Sequence, residues 1–386
     1  MFFKHIKICW NIFYRLCAVK ICSIFPICHN KIVFRSYCGT KYGDSPKYIS
    51  EALIRLADKK HKQVDIVWIV TPGVTVSGNV RTVQHGTLRS IYELATARVW
   101  VDNTRKELWN RKRSGQYYIQ TWHSSAALKK VEKDAEGKLS WGYIKAAQLD
   151  SKMIDLLISG SRWRTNQYKE SFWYSGSIWE SGLPRSDIFY QKNSEQLTKQ
   201  VREFFQILPD EHIAIYAPTF RNDTKFSLSQ LDYKRLLSSL KSMWGHNWKL
   251  IIRLHPNWSN KQHELFYNAH ILNGSNYPEI NELLIAADLL ITDYSSCMFD
   301  AMEAKTPVIL YAPDIQEYWK ERGCYFQFDQ LPFPLATNTN ELIQCITNFN
   351  FSTQAEKIKN FMKELGFIND GKAARRVASR ILEKMK

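Results

Sequence analysis

The sequence predicts an α/β protein made of two successive parallel-sheet units. Three observations carry that expectation. The chain has 386 residues, more than one ordinary core holds, so two domains are the first expectation. Short β-rich runs alternate with helical patterns along most of it, the arrangement of a parallel sheet with crossover helices. The pattern breaks once, into a turn around Gly182-Leu183-Pro184, and then restarts. With 45% hydrophobic and 23% charged residues, the chain has the apolar content to offset the entropy of ordering, which excludes a disordered protein.

Residues 1–29 read as an amphipathic membrane-association segment. Lys4, Lys7, Arg15 and Lys20 are basic, and the first acidic residue is Asp44. On a helix, Lys4, Lys7, Asn11 and Arg15 fall within roughly 80° of one another. Phe2, Ile6, Cys9, Phe13, Leu16 and Cys17 take the opposite side, and Lys20 falls among them. That pattern suits a helix lying in the plane of a bilayer surface, apolar side in the acyl boundary and cations near anionic headgroups. Trp10 and Tyr14 suit the same interface. The competing expectation is a helix docked on the protein's own core. No apolar run approaches the roughly 18–20 residues of a membrane span, and Arg15 and Lys20 interrupt any secretory signal.

Strand candidates occur at 31–37, 64–70, 80–84, 98–104, 117–123 and 155–161, with helices over 46–60 and 87–97. After the turn come strands at 212–220, 248–256, 288–294 and 307–312, and helices over 233–244, 279–287 and 296–305. A last helix starts near Asn369-Asp370-Gly371, with Val377, Ile381 and Met385 as its apolar stripe and Arg375, Arg376, Arg380 and Lys384 opposite. The eight cysteines lack zinc-like or C-x-x-C spacing and read as free thiols in a reducing cytoplasm. Lys plus Arg number 53 against 37 Asp plus Glu, a net +16, which favours polyanionic partners: nucleic acid, phosphorylated substrates or an anionic membrane. Nucleic acid is the least supported, because the 13 tryptophans are scattered and no RNP, helix-turn-helix or finger pattern occurs.

In such units ligands bind beyond the carboxyl ends of the strands, and three stretches sit there. Gln120–Lys130 ends a strand in small residues; His123 is placed to accept a hydroxyl proton near neutral pH, with Lys129 and Lys130 able to hold an anion. Arg253 and His255, two residues apart at a strand's end, can contact one phosphate together. Thr219 and Arg221 end a neighbouring strand, where Arg221 fits a surface salt bridge as well as a ligand. Thr292-Asp293-Tyr294-Ser295-Ser296 runs into a helix carrying Asp300 and Glu303, and a serine-capped helix start binds anions. Asp293, Asp300 and Glu303 could meet a cation, but no D-x-D or His-rich pattern is present, so no metal is assigned. Neither G-x-G-x-x-G nor G-x-x-x-x-G-K-[ST] occurs, which disfavours a nicotinamide dehydrogenase and a P-loop NTPase. The residues point to phosphate binding and leave the reaction open.

In this order the stretches resemble the CDP-glycerol glycerophosphotransferase family of teichoic acid synthesis. The likeness rests on Gln120–Lys130 with Lys133-Asp134, Gly182-Leu183-Pro184-Arg185-Ser186-Asp187, Ala217–Asp223, Arg253–Pro256, and Thr292–Asp300 with Pro307. It extends to Asn30–Phe34 with Ser45–Ile49, and to Asp370-Gly371-Lys372-Ala373. The resemblance implies a GT-B-like fold: a Rossmann-like acceptor domain (30–190) and a CDP-donor domain (191–368) facing a cleft, then a basic helix (369–386). It implies peripheral, monotopic attachment to the cytoplasmic face of a bacterial membrane. The implied reaction moves glycerol phosphate or ribitol phosphate from CDP-glycerol or CDP-ribitol to a hydroxyl of an undecaprenyl-linked acceptor, releasing CMP. His123 and His255 are its implied catalytic residues, His123 as base. The donor is implied to lie on Thr219, Arg221, Arg253, His255, Thr292, Asp293, Ser295, Ser296 and Asp300. No cofactor is required, since CMP is already a good leaving group. One departure stands out: the family usually reads Trp-His-Gly-Thr-Pro where this chain has Trp122-His123-Ser124-Ser125-Ala126, without the glycine and proline that shape the turn. The alternative enzyme is a GT-B glycosyltransferase using a nucleotide sugar.

Overall fold

The computed structural model describes residues 2–221, 228–255, 258 and 265–385. The side chains of Lys4 and Lys7 lie outside the described set, as do Asn222, Asp223 and Pro256. The chain forms two compact units, one of Met1–Ser125, Val131–Asp187 and Ile368–Lys386, the other of Ala126–Lys130 and Ile188–Phe367.

In the first unit α1 (Phe2–Cys22), β1 (Cys28–Arg35), α2 (Asp44–Lys59), β2 (Asp65–Val70) and β3 (Arg81–Gln84) come first. Next are α3 (Leu88–Thr96), β4 (Ala97–Asp102), β5 (Tyr117–Gln120), α4 (Trp141–Met153), β6 (Leu156–Ser159), α5 (Arg162–Ser171) and β7 (Ser177–Glu180). The strands make one parallel sheet in the order β3-β2-β1-β4-β5-β6-β7.

The second unit runs α6 (Ser194–Phe205), β8 (Glu211–Ala217), α7 (Tyr233–Trp244), β9 (Asn247–Ile252), β10 (Ile271–Asn273), α8 (Ile280–Ala286) and β11 (Leu289–Thr292). It continues through α9 (Cys297–Ala304), β12 (Val308–Tyr311), α10 (Ile315–Arg322), β13 (Leu335–Ala336), α11 (Thr339–Thr347) and α12 (Phe351–Leu365). Its sheet is also parallel, in the order β10-β9-β8-β11-β12-β13. Central strands such as Ile32-Val33-Phe34 and Leu250-Ile251-Ile252 are buried without alternation, because helices cover both faces of a parallel sheet.

Each sheet reverses its strand order once, between β1 and β4 and between β8 and β11. Crossovers leave such a reversal in opposite directions and open a crevice beyond the strand ends, where ligands bind in this class of fold.

Several sequence expectations change here. The strand expected over 117–123 stops at Gln120, because Trp122 takes a φ of +50° and turns the chain away. That expected over 248–256 stops at Ile252, where the Leu254 N–H turns to the Ser275 hydroxyl instead of a strand, so alternation does not orient Arg253 and His255. The unpredicted strands β7, β10 and β13 lie toward the sheet edges and span two to four residues, too few to show a period. The final helix, α13 (Ala373–Lys384), belongs to the first unit and is no separate element. Its first N–H groups, from Ala373 and Ala374, donate to the Asp187 carboxylate at 3.0 and 2.8 Å. Val377 and Ile381 of the predicted stripe are buried.

Helix α1 differs in orientation. Ala18 and Val19 pack against Ile91 of α3, while Trp10, Phe13, Tyr14 and Ile21 are exposed. The Arg15 guanidinium lies 4.3 Å from the Trp109 ring centroid, a partner that helix periodicity does not show.

Gly160, just after β6, has no room for a side chain: a Cβ there would come 2.5 Å from Ser125 Oγ and 2.7 Å from Leu183 Cγ. Overpacking of this kind costs about 1–3 kcal/mol. Urea unfolding of Gly160→Ala is expected to show that loss with an unchanged m-value; an unaffected midpoint would contradict the packing.

Candidate active site

In the first unit the reversal is bridged by charge. Arg35, ending β1, donates to Asp102, ending β4, at 2.6 Å and to Glu107 at 2.6 Å, and Lys106 adds a 2.8 Å contact to Asp102. Burial alone would raise the Asp102 pKa, but Arg35 and Lys106 outweigh it and hold the carboxyl below the usual range.

The next residue, Asn103, orients the groups around His123. Its side-chain oxygen accepts the Tyr37 N–H at 2.8 Å, and its backbone carbonyl lies 3.2 Å from His123 Nδ1. A carbonyl only accepts, so Nδ1 carries the proton and Nε2 keeps its lone pair. The ring stacks on Trp122 at 4.6 Å between centroids. Arg185 Nη1 donates to the His123 carbonyl at 2.6 Å and to Asp44 at 2.8 Å, and the Tyr37 hydroxyl donates to Asp44 at 2.6 Å. Burial pushes the His123 pKa below 6.5; Asp44 and the Asn103 carbonyl oppose the shift, Arg185 and Arg164 reinforce it, and the net direction is down. His123 is therefore neutral at pH 7.

Side chains supply what the missing glycine and proline would have shaped. Arg164 donates to the Ser124 carbonyl at 3.1 Å and to its hydroxyl at 2.7 Å. Ser161 donates to the Ser125 carbonyl at 2.6 Å, and Asn369 reaches Ser125 Oγ at 3.4 Å. Lys129 and Lys130 belong to the second unit, His123 to the first. There Lys129 bridges to Cys324, and the Lys130 N–H donates to the Gly323 carbonyl at 3.2 Å.

The second reversal is bridged in the same way. Thr292 Oγ1 donates to the Ala217 carbonyl at 2.7 Å, and the Thr219 N–H donates to both Asp293 oxygens at 2.9 and 3.0 Å. Arg221 reaches Asp293 at 2.8 Å and Asp314 at 2.7 Å, and it also donates to the Thr219 carbonyl. Its guanidinium lies 4.7 Å from the ring of Tyr294, which stacks on Tyr318 at 3.6 Å. Thr292, Asp293 and Arg221 thus tie strand ends together. Arg221 is buried, not the surface ion pair the sequence allowed.

Ser296 is the N-cap of α9 without a side-chain cap bond, and Ser295 Oγ accepts the Cys297 N–H at 3.4 Å. Both serines are half-exposed, whereas Asp300 is buried in the helix's first turn. Thr219 Oγ1 is buried with no hydrogen-bond partner among the described residues, a polar atom that a ligand could satisfy. Arg253 donates to the carbonyls of Gly274, Tyr277 and Pro278 at 2.9, 2.7 and 3.3 Å, holding the loop after β10. His255 is exposed, its ring centroid 5.9 Å from that of Phe220.

Sequence reasoning missed Asn103, Tyr37, Asp44 and Arg164 around His123, and Asp314 beside Arg221. Only Arg185 lay in a stretch already singled out, and Asp314 was reachable by the strand-end rule, since it comes just after β12.

Because its folded pKa is depressed, His123 binds a proton more weakly in the folded chain than in the unfolded one. Stability from this residue is present above pH 6.5 and is lost as pH falls through the folded value. NMR titration should place the His123 midpoint below 6.5, and a midpoint above it would contradict the burial argument.

Comparison with known proteins gives three findings. A sequence model of the CDP-glycerol:poly(glycerophosphate) glycerophosphotransferases matches residues 17–383. The chain is 29% identical over 375 residues to a teichoic acid poly(glycerol phosphate) polymerase of Bacillus spizizenii, covering 94% of both chains. It is 30% identical over 370 residues to one of Staphylococcus epidermidis, covering 92% of this chain but 51% of that longer protein, so it spans about half the length of that relative. Among solved structures, the wall teichoic acid polymerase TagF superposes with a TM-score of 0.83 at 28% identity, covering all of this chain and 97% of that one. The expected GT-B-like α/β fold with two parallel-sheet domains is the fold that TagF shares.

Proposed function

The chain belongs to the CDP-glycerol:poly(glycerophosphate) glycerophosphotransferase family, and from that premise we propose that it moves a polyol phosphate from a CDP-activated donor to a hydroxyl of a lipid-linked acceptor at a membrane surface. The observation that carries the reading is the state of His123. Its Nδ1 proton is engaged by Asn103, its pKa lies below 6.5, and its Nε2 is left as a base.

In the reaction, Nε2 takes the proton of the acceptor hydroxyl as that oxygen attacks the polyol-bearing phosphorus. The bond from this phosphorus to the bridging oxygen breaks, and CMP leaves with the electron pair. The half-exposed Ser295 and Ser296 hydroxyls at the start of α9 are suited to the donor's pyrophosphate, since a helix start offers free N–H groups to an anion. The buried Thr219 hydroxyl is a further contact, and His255 is the group that meets charge developing on CMP. Arg253 supports this site through the 274–278 loop it holds. Thr292, Asp293 and Arg221 act as its frame.

Release of CMP by the purified protein, offered CDP-glycerol and CDP-ribitol in parallel with and without a lipid-linked glycerol-phosphate acceptor, tests the reading. Acceptor-dependent release with one donor is expected, falling about 100-fold or more in His123→Ala, the scale of general base catalysis. Near-normal release by that variant would remove His123 as base, and silence with both donors from folded protein would overturn the transferase reading.

The membrane part of the proposal rests on α1. Its exposed side carries Trp10, Phe13, Tyr14 and Ile21, and the turn after it exposes Ile24 and Phe25. No described helix is long and apolar enough to cross a bilayer, so attachment would be peripheral, with this face in the interface. Each large apolar side chain buried there contributes about 2 kcal/mol. Replacing Phe13 and Ile21 with Glu is expected to weaken sedimentation with anionic vesicles by more than about 100-fold, with the fold intact by circular dichroism. Unchanged sedimentation would move the contact elsewhere.

A further inference from the structure

Among the described residues Arg15 is a cation without a counter-charge. Its guanidinium lies over Trp109 at 4.3 Å, and its Nε donates to Asn11 at 2.7 Å. Among the described residues no carboxylate pairs with it. Nearby charge is already balanced: Arg35 and Lys106 face Asp102 and Glu107, two cations against two carboxylates. His85 Nε2 lies 2.9 Å from Glu107 Oε1, the oxygen that Arg35 also reaches, and Asn110 donates to Oε2 at 2.6 Å, so both oxygens of that carboxylate are engaged. The next residue, Gly86, has a φ of +82°, and a Cβ there would come 3.6 and 3.9 Å from the two Arg15 Nη atoms. The absence of a side chain at Gly86 keeps the space in front of the guanidinium open.

We propose that Arg15, seated on Trp109 in front of Gly86, binds the phosphate or diphosphate at the lipid end of the acceptor. A guanidinium presents paired N–H groups that match two phosphate oxygens, and the indole face under it shields it from water without spending those donors. Its place fits an acceptor that stays in the bilayer. Arg15 is on α1, whose other side exposes Trp10, Phe13, Tyr14 and Ile21. The segment from Asn103 to Trp109 joins the residue that orients His123 to the residue that holds Arg15, a span of at most about 20 Å. A lipid phosphate at Arg15 and a reacting hydroxyl at His123 can therefore belong to one molecule. The inference rests on the transferase reading for the identity of the ligand, while the site itself rests on the geometry.

The test uses the full chain and its Arg15→Gln and Arg15→Lys variants, with thermal melts to confirm folding. Binding is measured to phosphatidylcholine nanodiscs containing a polyprenyl diphosphate, and separately to discs containing phosphatidylglycerol; acceptor and donor KM are measured alongside. Arg15→Gln is expected to weaken polyprenyl diphosphate binding about tenfold and to raise acceptor KM by a similar factor, the scale of a charge-assisted contact. Phosphatidylglycerol binding and donor KM stay unchanged, and Arg15→Lys falls between. Equal losses on both kinds of disc would make Arg15 a general headgroup contact and overturn the proposal, as would unchanged polyprenyl diphosphate binding. Arg15-dependent binding without turnover in the wild type would retain the site and defeat the transferase reading.

Discussion

At each point where a parallel sheet of this protein reverses its order, a buried arginine grips a buried aspartate across the two central strands. Arg35 and Asp102 join β1 to β4, and Arg221 and Asp293 join β8 to β11. A reversal needs such a device because the crossovers diverge and leave the strand ends without a helix to cover them. Taking the charges out of water is costly, and a bare pair would repay little of it. Here each arginine has a second carboxylate, Glu107 or Asp314, and each aspartate accepts backbone N–H groups, Thr104 on Asp102 and Thr219 on Asp293. Deleting one partner would strand the other, a loss on the order of 3–5 kcal/mol.

The residues proposed for the chemistry lie beside these clamps. Asn103 sits directly after Asp102, and its two oxygens orient Tyr37 and His123. Ser295 and Ser296 come closely after Asp293, so the start of α9 is presented by the same aspartate that fixes the end of β8. The division between residues proposed to meet the ligand and those that support them follows from their bonding. Thr292, Asp293 and Arg221 have their polar atoms occupied within the second unit, whereas Ser295, Ser296, Thr219 Oγ1 and His123 Nε2 offer capacity that local bonds do not use. The turn at Ser124 is held by side chains from α5 and its cap. Arg164 and Ser161 donate to it, where the family's usual glycine and proline would act through backbone preference.

The N-terminal helix divides its residues between a packed side and an exposed side. Its small residues Ala18 and Val19 allow close approach to α3, which leaves the bulky Trp10, Phe13 and Tyr14 on the outside. Had it packed through its largest apolar residues, none would remain for the proposed membrane contact.

The sequence alone determined the α/β class, most central strands and the division into two units, and it singled out His123, Ser295 and Ser296 as candidates for the site. Those features rest on local signals: apolar runs four to seven residues long, turn residues, and polar side chains just past a strand. Helix α7 was legible to its terminal residues because Asp232 caps it and its apolar period is unbroken. Strand order was not legible, since which strands neighbour each other depends on crossovers that a linear pattern does not encode. Only the tertiary structure could set Asp102 against Arg35, 67 positions apart, bring Asn103 to His123, assign α13 to the first unit, and seat Arg15 on the face of Trp109. Each of these is a long-range pairing of charge, hydrogen bond or ring, and residues distant in the chain acquire such partners only when the sheet closes around them.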